Sequence, residues 1–154
     1  MEVTINGFIA RDKSGIASIF TNKPIKNYNE DSWEATNGKI ELDESSFFTQ
    51  VKWEDNTPVS AKLTIRSLGS SSFFPPTETE ATIEGWIGRN KNNSITLFGS
   101  SKPQKYDDGV VACWYSKYTD DVIDMDDNSL FPQIKWEDFS PTPATITIDI
   151  KKKE

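Results

Sequence analysis

Histidine is absent from this 154-residue chain, and cysteine occurs once, at Cys113. Without His there can be no Ser-His-Asp or Cys-His arrangement, no imidazole general base and no His-ligated metal. A single Cys excludes an intramolecular disulfide and, with no His, cannot build a Cys/His zinc site. Long apolar runs are also missing: no stretch approaches the ~18 residues of a membrane span. The N-terminus, Met1 to Phe8, has neither a basic n-region nor an apolar h-region, so no signal peptide is expected. Positive charge is scarce, with 17 Lys+Arg against 24 Asp+Glu and a net charge of -7. That balance disfavours direct nucleic-acid binding, which depends on clustered Lys and Arg. The one dense basic run, Lys151 to Lys153, reads as a solvated tail. A small chain without disulfides or a membrane span is expected in the cytoplasm, with no metal or cofactor implied.

Aromatic residues are plentiful, five Trp and nine Phe, which argues for a packed core despite a low aliphatic share. At about 100–200 residues per domain, the length allows one domain or two very small ones. An internal repeat bears on that choice. Val3 to Lys13 lies over Ala81 to Lys91, with Thr, Ile, Gly, Ile, Arg and Lys recurring at an offset of 78. Lys23-Pro24 returns as Lys102-Pro103, and Trp33 has a counterpart in Trp114. Phe48 to Pro58 lies over Phe131 to Pro141 at an offset of 83, each holding the tetrapeptide Lys-Trp-Glu-Asp. A tandem duplication is therefore expected: a first β repeat over 2–67, a Ser/Pro-rich connector over 68–79, a second β repeat over 80–150, and the basic tail 151–154. Phe73 and Phe74 in the connector are expected to tuck into the seam. Charge is uneven, with 8 basic and 10 acidic residues in 1–77 against 9 and 14 in 78–154. Most of the negative charge belongs to the second copy.

The pattern within each copy is that of strands. Val3, Ile5 and Ile9 alternate with polar or small residues, and Gly7 and Gly85 interrupt both runs at the same place, marking a bulge or a close backbone approach. Asp12 to Gly15 and Asn90 to Asn93 have hairpin-turn chemistry. Lys39 to Asp43, Val122 to Asp126, Ala61 to Arg66 and Ala144 to Ile150 also alternate. No segment sustains a helical period; Asp43 to Phe48 and Asp126 to Phe131 have room for one turn each. The expected fold class is all-β: a tandem duplication of a small antiparallel four-stranded curled sheet or open barrel, packed about a pseudo-twofold axis.

Candidate binding residues are Arg11, Trp33, Trp53, Arg89, Trp114, Tyr115 and Trp136. Trp53 and Trp136, in the Lys-Trp-Glu-Asp segments, either plug the open end of a sheet, the favoured reading, or present an exposed recognition face. In the first case Glu54, Asp55, Glu137 and Asp138 accept backbone N–H bonds in the following turn. Arg11 and Arg89 can hold a carboxylate or phosphate bidentately, but more often such a residue pairs with an acid across its hairpin. Trp33, Trp114 and Tyr115 lie in the segments that differ most between copies, where binding tends to sit, although packing onto their own copy is favoured. Cys113 reads as a buried small apolar residue. The acidic stretch Thr119 to Asn128 lacks the turn Gly and distal Glu of a helix–loop–helix calcium site, and is expected to form a solvated strand edge.

The stretch Asn6 to Asp12, the Lys23-Pro24 step, Trp33 and the run Phe48 to Pro58, with their counterparts Gly85 to Arg89, Lys102-Pro103, Trp114 and Phe131 to Pro141, resemble a group of uncharacterised small β-rich proteins with a Lys-Trp-Glu-Asp-x-x-Pro motif from phages and mobile elements of gut anaerobes. The first copy departs by having Thr49 where the second has Pro132, and the second has Trp86 for Phe8. The resemblance implies no activity; it implies an accessory protein that binds, and inhibits, a host protein in the host cytoplasm. The expected function is accordingly a non-enzymatic binding module with aromatic and acidic loops, its partner a host defence or nucleic-acid enzyme with a basic cleft. The alternatives are a small-molecule or nucleotide-binding protein with a pocket at the repeat seam and, behind it, a carboxylate-dependent, metal-assisted enzyme.

Overall fold

The computed structural model describes residues 1–42, 47–67 and 77–150. The described residues are all-β, without a helix. Eight strands make one closed barrel: β1 (Glu2–Arg11), β2 (Ala17–Phe20), β5 (Gly38–Glu41) and β6 (Val59–Ser67) from the first half, and β7 (Glu80–Arg89), β8 (Ile95–Phe98), β11 (Asp121–Met125) and β12 (Thr142–Ile150) from the second. Their order is β1-β2-β5-β11-β8-β7-β12-β6, antiparallel throughout, with β6 returning to β1. Two separate hairpins stand outside it: β3 (Ile25–Asn27) with β4 (Ser32–Glu34), and β9 (Gln104–Asp107) with β10 (Ala112–Tyr115).

The alternation seen in the sequence points apolar residues inward. Ile9, Leu63, Ile65, Ile87, Ile146 and Ile148 are fully or almost fully buried in one core cluster that fills the barrel. An eight-stranded barrel is just wide enough for side chains to occupy its interior. At Gly7 the need is close approach and not a bulge: a Cβ there would lie 2.6 Å from both the Phe20 carbonyl oxygen and a Leu63 methyl, and one at Gly85 would lie 2.5 Å from the Phe98 carbonyl oxygen.

The expectation of two small sheets packed together is corrected on two points. The halves share one barrel, because a four-stranded antiparallel unit has two open edges and pairing both with another unit removes them. Each half also carries an additional two-stranded hairpin. At both seams, residues related by the offset of 83 face one another: Lys39 opposite Val122 between β5 and β11, and Thr64 opposite Thr147 between β6 and β12. The acidic stretch is likewise not an edge, since β11 pairs with β5 on one side and β8 on the other. Residues 126–131 form turns without a helical turn. Residues 43–46, Phe73, Phe74, the connector through 76 and the tail 151–154 lie outside the described residues. No helix among the described residues is long and apolar enough to cross a membrane.

Candidate binding surface

The hairpin turn after each long strand leaves an arginine pointing back toward the barrel end, where the Phe48 and Phe131 segments close it. Arg89, 7% exposed, donates from Nε to the Ile134 carbonyl (2.7 Å), from Nη1 to Asn93 (2.8 Å) and Asn128 (3.0 Å), and from Nη2 to Leu130 (2.7 Å) and Phe131 (3.1 Å). All five of its N–H donors meet backbone carbonyls. Arg11 repeats the pattern with Val51 (2.7 Å), Gly15 (2.6 Å), Phe47 (2.6 Å) and Phe48 (3.1 Å), and burial lowers its pKa. Phe48 and Phe131 are buried and hold left-handed backbone, φ 55° and 53°, which costs a bulky residue about 1–2 kcal/mol. Burying each ring recovers about 1.5–3 kcal/mol, and the arginine adds bonds to the carbonyls of the turn, of which Phe48 and Phe131 also accept the N–H of Val51 and Ile134.

A second matched feature joins each outer hairpin to its Lys-Trp-Glu-Asp turn. Lys26 of β3 lies over the Trp53 ring at 4.2 Å and the Trp33 ring at 5.3 Å, and donates to the Trp53 carbonyl. Lys105 of β9 lies over Trp136 at 4.3 Å and Trp114 at 5.2 Å, and donates to the carbonyls of Trp136 and Asp138. Cation–π attraction is worth about 0.5–1 kcal/mol at an exposed lysine such as Lys105 and more at the half-buried Lys26. The Asp55 and Asp138 carboxylates accept the backbone N–H of Lys52 and Lys135, as the turn reading expects. Trp33 and Trp114 are buried, 3% and 6% exposed, each donating its backbone N–H at 2.8 Å to a side chain of the first hairpin turn, Asp12 or Asn90.

The halves diverge around those two side chains. Asp12 forms a buried ion pair with Lys39 (3.7 Å), which also meets Glu34 (3.2 Å) and the Trp33 carbonyl (3.3 Å). Burial raises the Asp12 pKa, against the opposing pull of the Trp33 N–H and Lys39. Burial works to lower that of Lys39, but Asp12, Glu34 and Asp120 outweigh it and hold it up. Both can rise because one ammonium faces three carboxylates. In the second half Asn90 donates to Ser94 Oγ (3.0 Å) and Thr96 Oγ1 (3.1 Å) instead.

The two hairpins also present different outer faces. Alternation turns Lys105 and Trp114 toward the barrel, so Tyr106, Cys113 and Tyr115 face outward. The Tyr106 and Tyr115 rings meet edge to face at 6.0 Å, with 45% and 44% of their surface exposed, and Cys113 between strands is half-buried and not buried. Beyond them Val110 is 92% exposed at the hairpin tip. The Asp108 carboxyl is held below its usual range by the N–H groups of Val111 and Val110 and the Tyr106 hydroxyl. At the β5–β11 seam a cleft of about 480 Å³ is lined by Glu41, Ser101, Lys117, Tyr118, Asp120 and Asp121. Burial, and then Asp120, raises the Glu41 pKa. Among the described residues no group of three or more Cys, Asp or Glu is placed to hold a metal ion.

The candidate residues therefore fall into two groups, Arg11, Trp33 and Trp53 in one half and Arg89, Trp114 and Trp136 in the other, each holding its own half together. Tyr115 alone faces outward. Sequence reasoning missed Tyr106, whose place opposite Cys113 depends on the register of the hairpin. It also missed Lys26 and Lys105, although the recurring Lys-Pro-x-Lys of Lys23 to Lys26 and Lys102 to Lys105 carried the signal. No protein family, curated protein or solved structure matches the chain.

Proposed function

We propose that the chain is a non-enzymatic binding protein whose partner is another protein, docked on the outward face of the β9–β10 hairpin. The exposed Tyr106–Tyr115 pair carries this reading: two rigid aromatic rings beside Val110 and Val111 have the composition of an interface centre. The exposed Asp108 carboxylate, which accepts the Tyr106 hydroxyl, puts a negative charge beside the pair and suits a basic partner. The resemblance to phage and mobile-element proteins makes that partner a host protein, bound and inhibited in the host cytoplasm. The tandem duplication belongs to the same reading. It is supported by the matched arginine clasps, the matched Lys–Trp stacks and the two seams where equivalent residues are partners, as a pseudo-twofold axis requires. The first hairpin also exposes Ile25 and Tyr28, but the Tyr28 ring meets Trp53, whereas the second carries two tyrosines that meet each other on one outward face.

The nucleotide alternative has less support. The seam cleft places Glu41, Asp120 and Asp121 around one Lys, which opposes phosphate, and it contains neither arginine nor any Trp. The test is a Tyr106→Ser/Tyr115→Ser variant beside a Tyr28→Ser control on the other hairpin. Capture of a defined host protein, measured with purified components, is expected to weaken at least about 10-fold in the first variant alone, the loss of two interface tyrosines. Unchanged affinity with unchanged melting would sink the reading.

A further inference from the structure

Two Asn-Gly steps occur in the chain, Asn6-Gly7 and Asn37-Gly38; both glycines are closely approached, Gly38 by the Val122 carbonyl oxygen, but the steps differ in where they sit, one inside a long strand and one in a turn. Asn6 sits within β1, opposite Lys62 of β6, in a ladder that runs from Glu2 to Ile9. Its Gly7 is boxed in by Leu63 and the Phe20 carbonyl. Asn37 is half-buried in the turn entering β5. There Gly38 has φ +99°, and its N–H reaches the Ala35 carbonyl only at 3.3 Å. The Asn37 Oδ1 is buried without a hydrogen-bond partner, so the amide is held through its nitrogen alone. That nitrogen donates to Thr21 Oγ1 (2.6 Å) and, across the seam, to the Asp124 carbonyl (3.0 Å), while the Asp124 N–H returns a bond to the Asn37 carbonyl (2.8 Å).

We propose that Asn37 is a site of spontaneous deamidation that loosens the seam between the two halves. The Gly38 backbone nitrogen attacks the Asn37 side-chain carbon. The new N–C bond forms as the Gly38 proton is lost, the bond from that carbon to Nδ2 breaks, and Nδ2 leaves with the proton as ammonia. Water then opens the cyclic imide at either carbonyl, giving aspartate or isoaspartate. Closure needs a weakly held glycine nitrogen and no side chain on the following residue; Gly38, though paired with Ile123, commits its N–H only to the long Ala35 bond, whereas Gly7 lies in the middle of the long β1–β6 ladder. The product replaces a donor to the Asp124 carbonyl with a carboxylate, on a seam that already carries Glu41, Asp120 and Asp121. The second half has no such step, since Asp120-Asp121 stands where the first has Asn37-Gly38.

The test is to age the full-length protein in mildly alkaline buffer and map it by tryptic digestion, which places Asn37 in peptide 27–39 and Asn6 in peptide 1–11. Peptide 27–39 is expected to show the mass gain of an amide-to-acid exchange at Asn37. Peptide 1–11 should convert more slowly by on the order of tenfold or more, because Asn6 reacts only when the barrel opens. In denaturant both should convert at similar rates. The aged protein should melt roughly 2–4 °C lower, about the effect of one lost buried hydrogen bond in a chain of this length, and Asn37→Gln should not drift on ageing. Equal native rates at the two sites, or no native conversion at Asn37 while the denatured chain converts, would overturn the proposal.

Discussion

The two halves of the barrel are built with the same clasps and differ in what surrounds them. Each has an arginine across its closing turn, a lysine between two tryptophans, and a side-chain oxygen, the Asp12 carboxylate or the Asn90 amide, accepting a Trp backbone N–H. The first half places a buried ion pair, Asp12 with Lys39, where the second has the neutral Asn90 and Val122. It has Ala10 where the second has Gly88, whose open face receives the Trp114 ring. The arginine and Trp N–H contacts and the Lys–Trp stacks are thus shared, while the buried side-chain partners of Asp12 and Asn90 differ. A guanidinium that satisfies five carbonyls has no substitute, whereas a buried charge pair can be exchanged for a neutral one that fills the same space.

The comparison can be broken most severely at the clasps. Arg89→Ala should destabilise the protein by at least ~3 kcal/mol, because five bonds to carbonyls go at once and, among the described residues, only Phe131 keeps a second donor, the Ile134 N–H, and Arg89→Lys should recover little of it. Urea unfolding of Arg11→Ala and Arg89→Ala side by side would show whether the halves depend equally on their clasps; a cost below about 1 kcal/mol at Arg89 would refute the role given to it. Grafting the second half's chemistry onto the first comes next. Lys39→Val alone should cost about 3–5 kcal/mol by leaving Asp12 buried without its cation, and adding Asp12→Asn should return most of that. A double variant no more stable than the single one would mean that the ion pair is not a local substitute for Asn90 and Val122. Gly88→Ala should cost about 1–3 kcal/mol, since its Cβ would sit 2.6 Å from the Trp114 ring, while Ala10→Gly in the first half should cost under about 1 kcal/mol.

The smallest effect is a pH dependence at the seam. Glu41 has a raised pKa in the folded protein, so between the ordinary carboxylate value and that raised one the folded state holds more protons than the unfolded. Stability from this group falls as pH rises through that window and is recovered on acidification. Glu41→Gln should therefore flatten the melting-temperature profile there and leave the protein slightly more stable at neutral pH. A profile identical to that of the wild type would show that Glu41 does not feel Asp120 and Asp121 as the cleft geometry implies.

The strands were legible because alternation needs only neighbouring residues: Leu63, Ile65, Ile146 and Ile148 declare one face without reference to anything distant. The repeat was legible for the same reason, since comparing Phe48 to Pro58 with Phe131 to Pro141 requires no coordinates. The roles of the candidate residues were less so. Arg11 looked like a partner for an acid, and it bonds the carbonyls of Gly15, four positions away, and of Phe47, Phe48 and Val51, 36 to 40 positions away. Trp53 and Trp136 read as plugs or as recognition faces, with nothing local to show that lysines from another strand lie over their rings.

Amino-acid order alone prescribed an all-β chain with no histidine, no intramolecular disulfide and a recurring Lys-Trp-Glu-Asp segment, because composition and local periodicity are properties of the chain. Tertiary structure decided that the halves close a single barrel, that β11 lies inside the sheet, and that Tyr106 and Tyr115 meet on an outward face. Each of these depends on which strand edges pair and in what register, and a slip of one residue would turn every side chain to the other face.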